Sequence, residues 1–593
     1  MTPLFVRTFF RKWFCFGAIA TAAMFFAAPL AAQEPPVASA DELADDAPLA
    51  GPPVAVLNVA SVERVLEDVD YLFGSVDRGD MSDVVDGLLG NLGDLKGLER
   101  GKPFGAMLFL KPALVPQPVP VGYLPVADIG ALTKTVELGP VTTKKITDDS
   151  YEIIGRRGTL YARLIGGYAF VASEEEVLDR ELPDPVTEFA ALTTRYDVAV
   201  DVHPENVPPG MRDLFLGLVR TQMQANLQQR DDESNAAHAL RKSQGMSNLR
   251  MVEAFLKETR SITLGLDTSP QNRKAVLELV IEAVPGTLYL ETLQGLAEEP
   301  SRFAPLLNDD LPLSFSINSR IDDHGHQLLT ELFDLGKNQV ARLLTRLNRG
   351  ETGAPEPAGD PPAAESVVDP AASAVADKIF GPLKQTVDER NLDLFAQFRG
   401  DVERKFVMIA GAEVLGAAGM ESAVRELIDR ARAANPDGED AFDVQYDAGQ
   451  AGGVSLHKLT GRKIRESERR MYGDEFAVYF GFDSNAIWIA IGGPQAVTEL
   501  DTAIGRIEEA GPVERNQTAA PFQIVVTANR WVGIGDNKAN SEMAREAFSE
   551  GGDSLRIDFK PTEKGGRLRV EIEEGFIRLL GLGVARRYDE SQL

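Results

Sequence analysis

Cysteine is almost missing from this chain. Its 593 residues include one, Cys15, inside an apolar N-terminal segment. With that segment removed, disulfides, thiolate metal sites and a cysteine nucleophile are excluded together. Histidine is scarce as well, at five residues. Basic charge is in deficit: 61 Lys and Arg face 90 Asp and Glu, a net charge of −29. A chain so poor in cations lacks the dense basic footprint that phosphate backbones require, so nucleic acid and anionic membrane surfaces are poor expected partners. The acidity itself reads as solubility.

Long apolar runs are lacking too, with one exception. Residues 13–28, WFCFGAIATAAMFFAA, follow Arg7, Arg11 and Lys12. The run is shorter than the roughly 20 residues that span a bilayer, and a positive stretch, an apolar stretch and small residues in that order predict a removed signal peptide over residues 1–32. Cleavage fits after Ala32 or after Ala40. Cys15 sits too early, without preceding small residues, for a lipid anchor. The expected location is therefore periplasmic or extracellular, with no integral membrane span after signal removal. A chain of this length builds cores that need no disulfide.

Catalytic signatures are missing. No G-x-S-x-G elbow occurs. GLERGKP (97–103) is one residue short of a phosphate loop, and Pro103 stands where a magnesium-binding hydroxyl belongs. GLGVAR (581–586) mimics half a dinucleotide fingerprint but lies in a predicted helix with no βαβ unit around it. In RIDDHGHQLL (320–329), Asp322, Asp323, His324 and His326 could be read as a metal cluster. A helix cap explains the carboxylates more simply, and histidines two apart do not share a helix face. Glu174, Glu175 and Glu176 fit the start of a helix, where negative charge is favoured. No catalytic residue, metal ligand or cofactor is expected. One basic stretch stands out, LHKLTGRKIRESERRMYG (456–473). Its Arg462, Lys463, Arg465, Arg469 and Arg470 form a candidate anion contact, against the commoner reading of a solvated or internally paired loop.

What the chain does contain is a repeated order of parts. Four alternating strands end at a short polar residue: VAVLNVASV (54–62), DVAVDVHPE (197–205), LSFSINSRI (313–321) and IVVTANRWV (524–532), with Asn58, Asp201, Asn318 and Asn529 in like positions. Such residues satisfy backbone amides where a strand hands over to a turn or helix. Four hairpins each feed a helix. One turns at Gly166-Gly167 and another at Asp483-Ser484-Asn485; the others are SITLGLDTSPQNRKAVLELVIEAVPG (261–286) and SLRIDFKPTEKGGRLRVEIEEG (554–575). Two strand-loop-helix modules, 119–136 and 405–428, also correspond. The predicted fold class is α+β: two tandem-duplicated lobes of mostly antiparallel sheet covered by helices. The predicted divisions are an acidic, disordered leader over 33–53, a first lobe over 54–300 and a second over 301–593. A linker or surface loop falls at 349–375. The first lobe alone carries a long helical arm, 208–257, with Met211, Leu214, Phe215 and Leu218 in a stripe at helical spacing. A second long helix is expected from about Asp322.

Several motifs together, YLPVAD (123–128), GYAF (167–170), PPGMRDLFL (208–216), FVMIAGAEV (406–414) and VEIEEG (570–575), give the chain a resemblance. It is similar to the large signal-peptide-bearing α+β proteins of planctomycete bacteria. That family has no assigned activity, so the resemblance implies architecture and export and adds no site residue. Within it, Asp128 reads as a cap, Pro125 as a strand end and Gly166-Gly167 as a turn. Two functions are open. One is a non-catalytic protein that binds or scaffolds an envelope protein or polymer, through its sheet faces or its arm. The other is a hydrolase of an envelope polymer using carboxylates from distant segments.

Overall fold

The computed structural model describes residues 50–592 except 92, 112–116, 157, 231–234, 308–310, 350–368, 435–440, 512–517 and 536. Cys15, the signal segment, its cleavage sites and most of the leader lie outside the described residues. Two boundaries are corrected. The leader's last residues, Ala50–Pro53, belong to the first strand. The 349–375 segment gives way to helix at Pro370, where proline's fixed φ suits the first helical position and Asp369 caps the Ala371 amide.

The chain folds as mixed helix and sheet. Its earlier strands are β1 (Ala50–Val59), β2 (Phe104–Lys111), β3 (Gln117–Pro125), β4 (Val141–Lys145), β5 (Ser150–Gly155), β6 (Gly158–Ile165), β7 (Tyr168–Ala172), β8 (Val198–Val202), β9 (Thr259–Ser269) and β10 (Lys274–Ala283). The later ones are β11 (Glu299–Pro300), β12 (Leu313–Arg320), β13 (Asn391–Arg399), β14 (Val407–Glu413), β15 (Phe442–Ala451), β16 (Val454–Gly461), β17 (Ala477–Phe482), β18 (Ala486–Gly492), β19 (Thr518–Ala519), β20 (Phe522–Thr527), β21 (Ser554–Thr562) and β22 (Gly565–Glu573). β11 and β19 form a small ribbon of their own.

The other 20 strands make one sheet, antiparallel at every pairing. Across it the order is β4-β5-β6-β7-β3-β2-β1-β8-β9-β10, then β22-β21-β20-β12-β13-β14-β18-β17-β16-β15. Outward from the β10–β22 seam, both sides use their strands in the same ordinal sequence, once the ribbon is set aside. The seam is a full ladder from Lys274 opposite Glu573 to Glu282 opposite Gly565. The two halves therefore meet edge to edge through backbone hydrogen bonds.

Local chemistry accounts for the handovers. Ser61 caps the helix Val62–Gly74 and Asp128 caps Ile129–Val136, each accepting from backbone amides. Gly166 and Gly167 turn the β6–β7 hairpin at positive φ. Gly105 is needed for close approach, since a Cβ there would meet the Leu57 carbonyl oxygen at 1.9 Å and the Tyr123 hydroxyl at 2.7 Å. The strand predicted over 524–532 ends at Thr527, and Asn529 lies in a 3-10 turn. The helix predicted after Glu174 is likewise a 3-10 turn, Glu175–Asp179.

Each half has its own core on one sheet face. Met107, Phe109, Tyr123, Tyr168 and Phe170 anchor the first, and Phe303, Phe395, Trp488 and Leu500 the second. Asn58 and Asn318 are both fully buried there. Asn58 donates to Thr193 and accepts from the Tyr123 hydroxyl. Asn318 donates to the carbonyls of Glu299 and Ala519. The shared polar position thus holds crossing chain in both halves, as buried amides must be bonded.

Candidate functional site

The opposite sheet face is apolar along its length. One row of register partners runs Leu57, Val200, Leu264, Leu279, Leu568, Phe559, Phe522, Ile317, Leu394 and Ala412. Directly opposed residues in an antiparallel pair point to the same side, as do residues two apart in a strand, so Leu266 and Leu277 share this face. In the second half the face is covered. Helix Pro370–Asp388 lays Ile379 and Leu383 on a cluster that includes Ala412, Phe482 and Ile487. In the first half it is open. Leu57 is 43% exposed, Val200 38%, Leu264 40%, Leu266 41% and Leu277 40%. These five large aliphatic side chains lie on four adjacent strands, β1, β8, β9 and β10. Contiguous exposed apolar surface of this kind makes the stretch a candidate interaction site.

Three polar clusters lie elsewhere. At the ends of β8 and β9, Asp197 is buried, takes the Thr268 amide at 2.6 Å and pairs with Arg64 at 2.5 Å. Arg64 also reaches Asp267 at 3.4 Å. Burial, then the charge of Asp197, pushes the Asp68 carboxyl up to about 7. In the second half, Asp393 is buried, accepts from the Ser301 hydroxyl and the Arg302 amide, and is raised by burial to about 7. It fastens the segment that joins the halves onto the sheet.

The third cluster gathers Glu421, Asp447 and His457, whose donor atoms lie within 4.8 Å of one another. The donor set suits a divalent cation in type. A cation is already there, however. Arg425 Nη2 lies 2.5 Å from Glu421 Oε1 and 2.8 Å from Asp447 Oδ1. The Asp447 amide donates to His457 Nδ1 at 3.2 Å, which leaves the proton of a neutral ring on Nε2, 3.2 Å from Glu421 Oε1. Burial lowers the His457 pKa. The arrangement is a closed charge network around a buried ring.

The basic stretch singled out in the sequence forms the short helix Glu466–Tyr472 and its approach. Arg462 meets Asp443 at 3.7 Å, Arg469 meets Asp474 at 2.9 Å and Glu466 at 3.5 Å, and Arg470 meets Glu466 at 3.5 Å. The Arg465 amide donates to Glu468, and Lys463 and Arg465 have partners of their own. These cations are drawn together by one turn of chain and are answered locally. The residues of RIDDHGHQLL disperse: Asp322 caps the Gly325 amide, Asp323 pairs with Arg390, and His326 faces Asp388 at 2.8 Å. Glu174 reaches Lys111 at 3.2 Å.

Sequence reasoning missed the open row on β1, β8, β9 and β10. Alternation was visible in each strand, but which face a helix covers depends on residues far apart in the chain. Comparison with known proteins adds no name: no family model, curated protein or solved structure matches the chain. No helix among the described residues is long and apolar enough to cross a membrane.

Proposed function

We propose that this chain is an exported, non-catalytic binding or scaffolding protein of the bacterial cell envelope, made of two tandem copies of one α+β unit. The first copy uses its uncovered sheet face to hold an envelope protein or polymer with an apolar surface. The N-terminal segment supports export, and the matching strand order on either side of the β10–β22 seam supports duplication. The motif resemblance to large signal-peptide-bearing α+β proteins of planctomycete bacteria would imply the same export. One observation carries the binding role: the row of exposed aliphatic residues on β1, β8, β9 and β10. Covering each such side chain is worth about 1 kcal/mol, so an occupant of all five gains on the order of 5 kcal/mol before ordering costs.

The test is the double variant Leu264→Asp/Leu277→Asp. Both side chains are exposed, so its thermal midpoint should stay near that of the parent chain. It should lose binding of an environment-sensitive apolar dye, and it should fail to recover partners that the parent retains from envelope extract. Equal dye binding and equal recovery would sink the reading.

A second reading, hydrolysis of an envelope polymer, draws on the Asp68–Asp197 pair. There a carboxyl that burial raises to about 7 and a carboxylate held by a guanidinium stand side by side, as an acid and a base would. That reading requires Asp68→Asn to abolish polymer hydrolysis, and the parent's rate to break near pH 7.

A further inference from the structure

The arm expected over 208–257 is a pair of helices. Helices Pro209–Asn226 and Asn235–Glu258 pack as a hairpin, locked by Arg220 on Glu253 at 2.5 Å and by Arg241 on the carbonyls of Asn226 and Gln228. Leu216 and Leu249 are buried, at 1% and 3% exposure. The stripe noted in the sequence turns the other way. Leu214 is 52% exposed, Phe215 53% and Leu218 63%, and Met251 on the second helix is 53% exposed. At about 100° per residue, Leu214, Phe215 and Leu218 lie on the side of their helix away from Leu216. Helix spacing was read correctly, and three of the four stripe residues are more than half exposed.

The charge of the same element is also reversed. The two helices carry Arg212, Arg220, Arg241, Lys242, Arg250 and Lys257 against Asp213, Glu253 and Glu258. The connector between them adds Arg230, Asp231, Asp232 and Glu233, so the excess of cations belongs to the helices themselves, on a chain of net charge −29. An exposed Leu/Phe/Met surface on helices with an excess of Lys and Arg is the composition of a helix that lies in the headgroup layer of a membrane.

We infer that the arm docks the protein on an anionic lipid surface. Phe215, Leu214 and Leu218 enter the headgroup boundary, and Arg212, Lys242 and Arg250 meet lipid phosphates. This inference stands on the arm alone and does not depend on the sheet-face reading. Each cation near such a surface adds to the attraction. The acidic body is screened beyond a Debye length of about 8–10 Å, so the arm's local sign governs contact. Whole-chain composition, which disfavours anionic membranes, averages this sign away. A second copy fits less well, because a two-fold contact through the arms sets basic helix against basic helix.

The experiment is co-sedimentation of the full chain with phosphatidylglycerol-containing vesicles and with phosphatidylcholine-only vesicles. The N-terminal segment is kept in all proteins, so differences report on the arm. Preferential binding to the anionic vesicles, weakened by salt, is expected. Phe215→Asp/Leu218→Asp should bind about tenfold more weakly or worse, and Lys242→Glu/Arg250→Glu should lose the preference for anionic lipid. All four side chains are exposed, and unchanged circular-dichroism melts would show the variants folded. Equal binding by parent and variants, equal binding to both vesicle types, or no binding overturns the inference. So does a dimer, seen by sedimentation equilibrium without lipid, that the same substitutions dissociate.

Discussion

One sheet face runs through both halves of this protein and meets two fates. In the second half, helices Asp323–Asn348 and Pro370–Asp388 are long, and the latter seats Ile379 and Leu383 over Ala412 and Ile487. In the first half, the helices after β1 have 13 residues each, and the extra helical length has gone into the arm after β8. The strands are equally apolar in both halves. What differs is where each half spends its helices, and the difference leaves one stretch of sheet wet. A common strand order thus supports a closed half and an open one.

The largest effect should come from placing one charge on each version of that face. Ile487→Asp, half-buried in the cluster beneath the helix, sets a carboxylate among apolar side chains and should cost about 2–3 kcal/mol. Leu264→Asp, on the open stretch, should cost under about 1 kcal/mol. Denaturant midpoints of the two variants decide it, and similar losses would mean that the first-half face is covered after all. Next in size is the buried amide common to both halves. Asn318→Ala takes a donor from the Glu299 and Ala519 carbonyls, and Asn58→Ala takes a donor from Thr193 and leaves the Tyr123 hydroxyl only the Leu57 carbonyl. Each should cost about 1–3 kcal/mol in chemical denaturation, and a neutral result at either position would break the equivalence of the two.

A pH comparison is sharper still. Asp393 is raised from 3.8 to about 7, so the native state holds a proton that the unfolded chain releases above pH 4. Its contribution is fully present below the unfolded value and declines as pH rises toward about 7. Thermal midpoints of Asp393→Asn between pH 4 and 8 should therefore show a flatter fall than those of the parent chain. The smallest expected effects are those of two histidines with opposite signs. A hydrogen bond to Asp201 raises His203, whose stabilisation is present below pH 6.5 and lost as pH rises through its folded pKa. Burial lowers His457, whose stabilisation is present above pH 6.5 and lost as pH falls through its folded pKa. Two imidazole resonances titrating on the same side of pH 6.5 would contradict this.

Local signals were legible where the chemistry is local. The turn at Gly166-Gly167, the caps at Asp128 and Asp322, and the hairpins at β9–β10 and β21–β22 follow from turn residues and period-2 alternation. The polar position shared by Asn58 and Asn318 was visible, although its partners were not, since they come from chain 19 to 201 residues away. The clusters around Asp68, Asp393 and His457 left no motif, because each draws its members from separate elements. The arm's stripe was found, but the side it faces was not, since helical spacing is the same whether a stripe meets a core or solvent.

By itself the sequence determined several of the strands, turns and caps and the acid excess, all of which follow from neighbours along the chain or from composition. Tertiary structure alone decided that the halves join through the β10–β22 ladder and which half leaves its apolar face uncovered. It also set which way the arm's stripe points. The physical reason is that covering a face, or pairing an edge, is a competition among segments hundreds of residues apart, and no local pattern records who wins it.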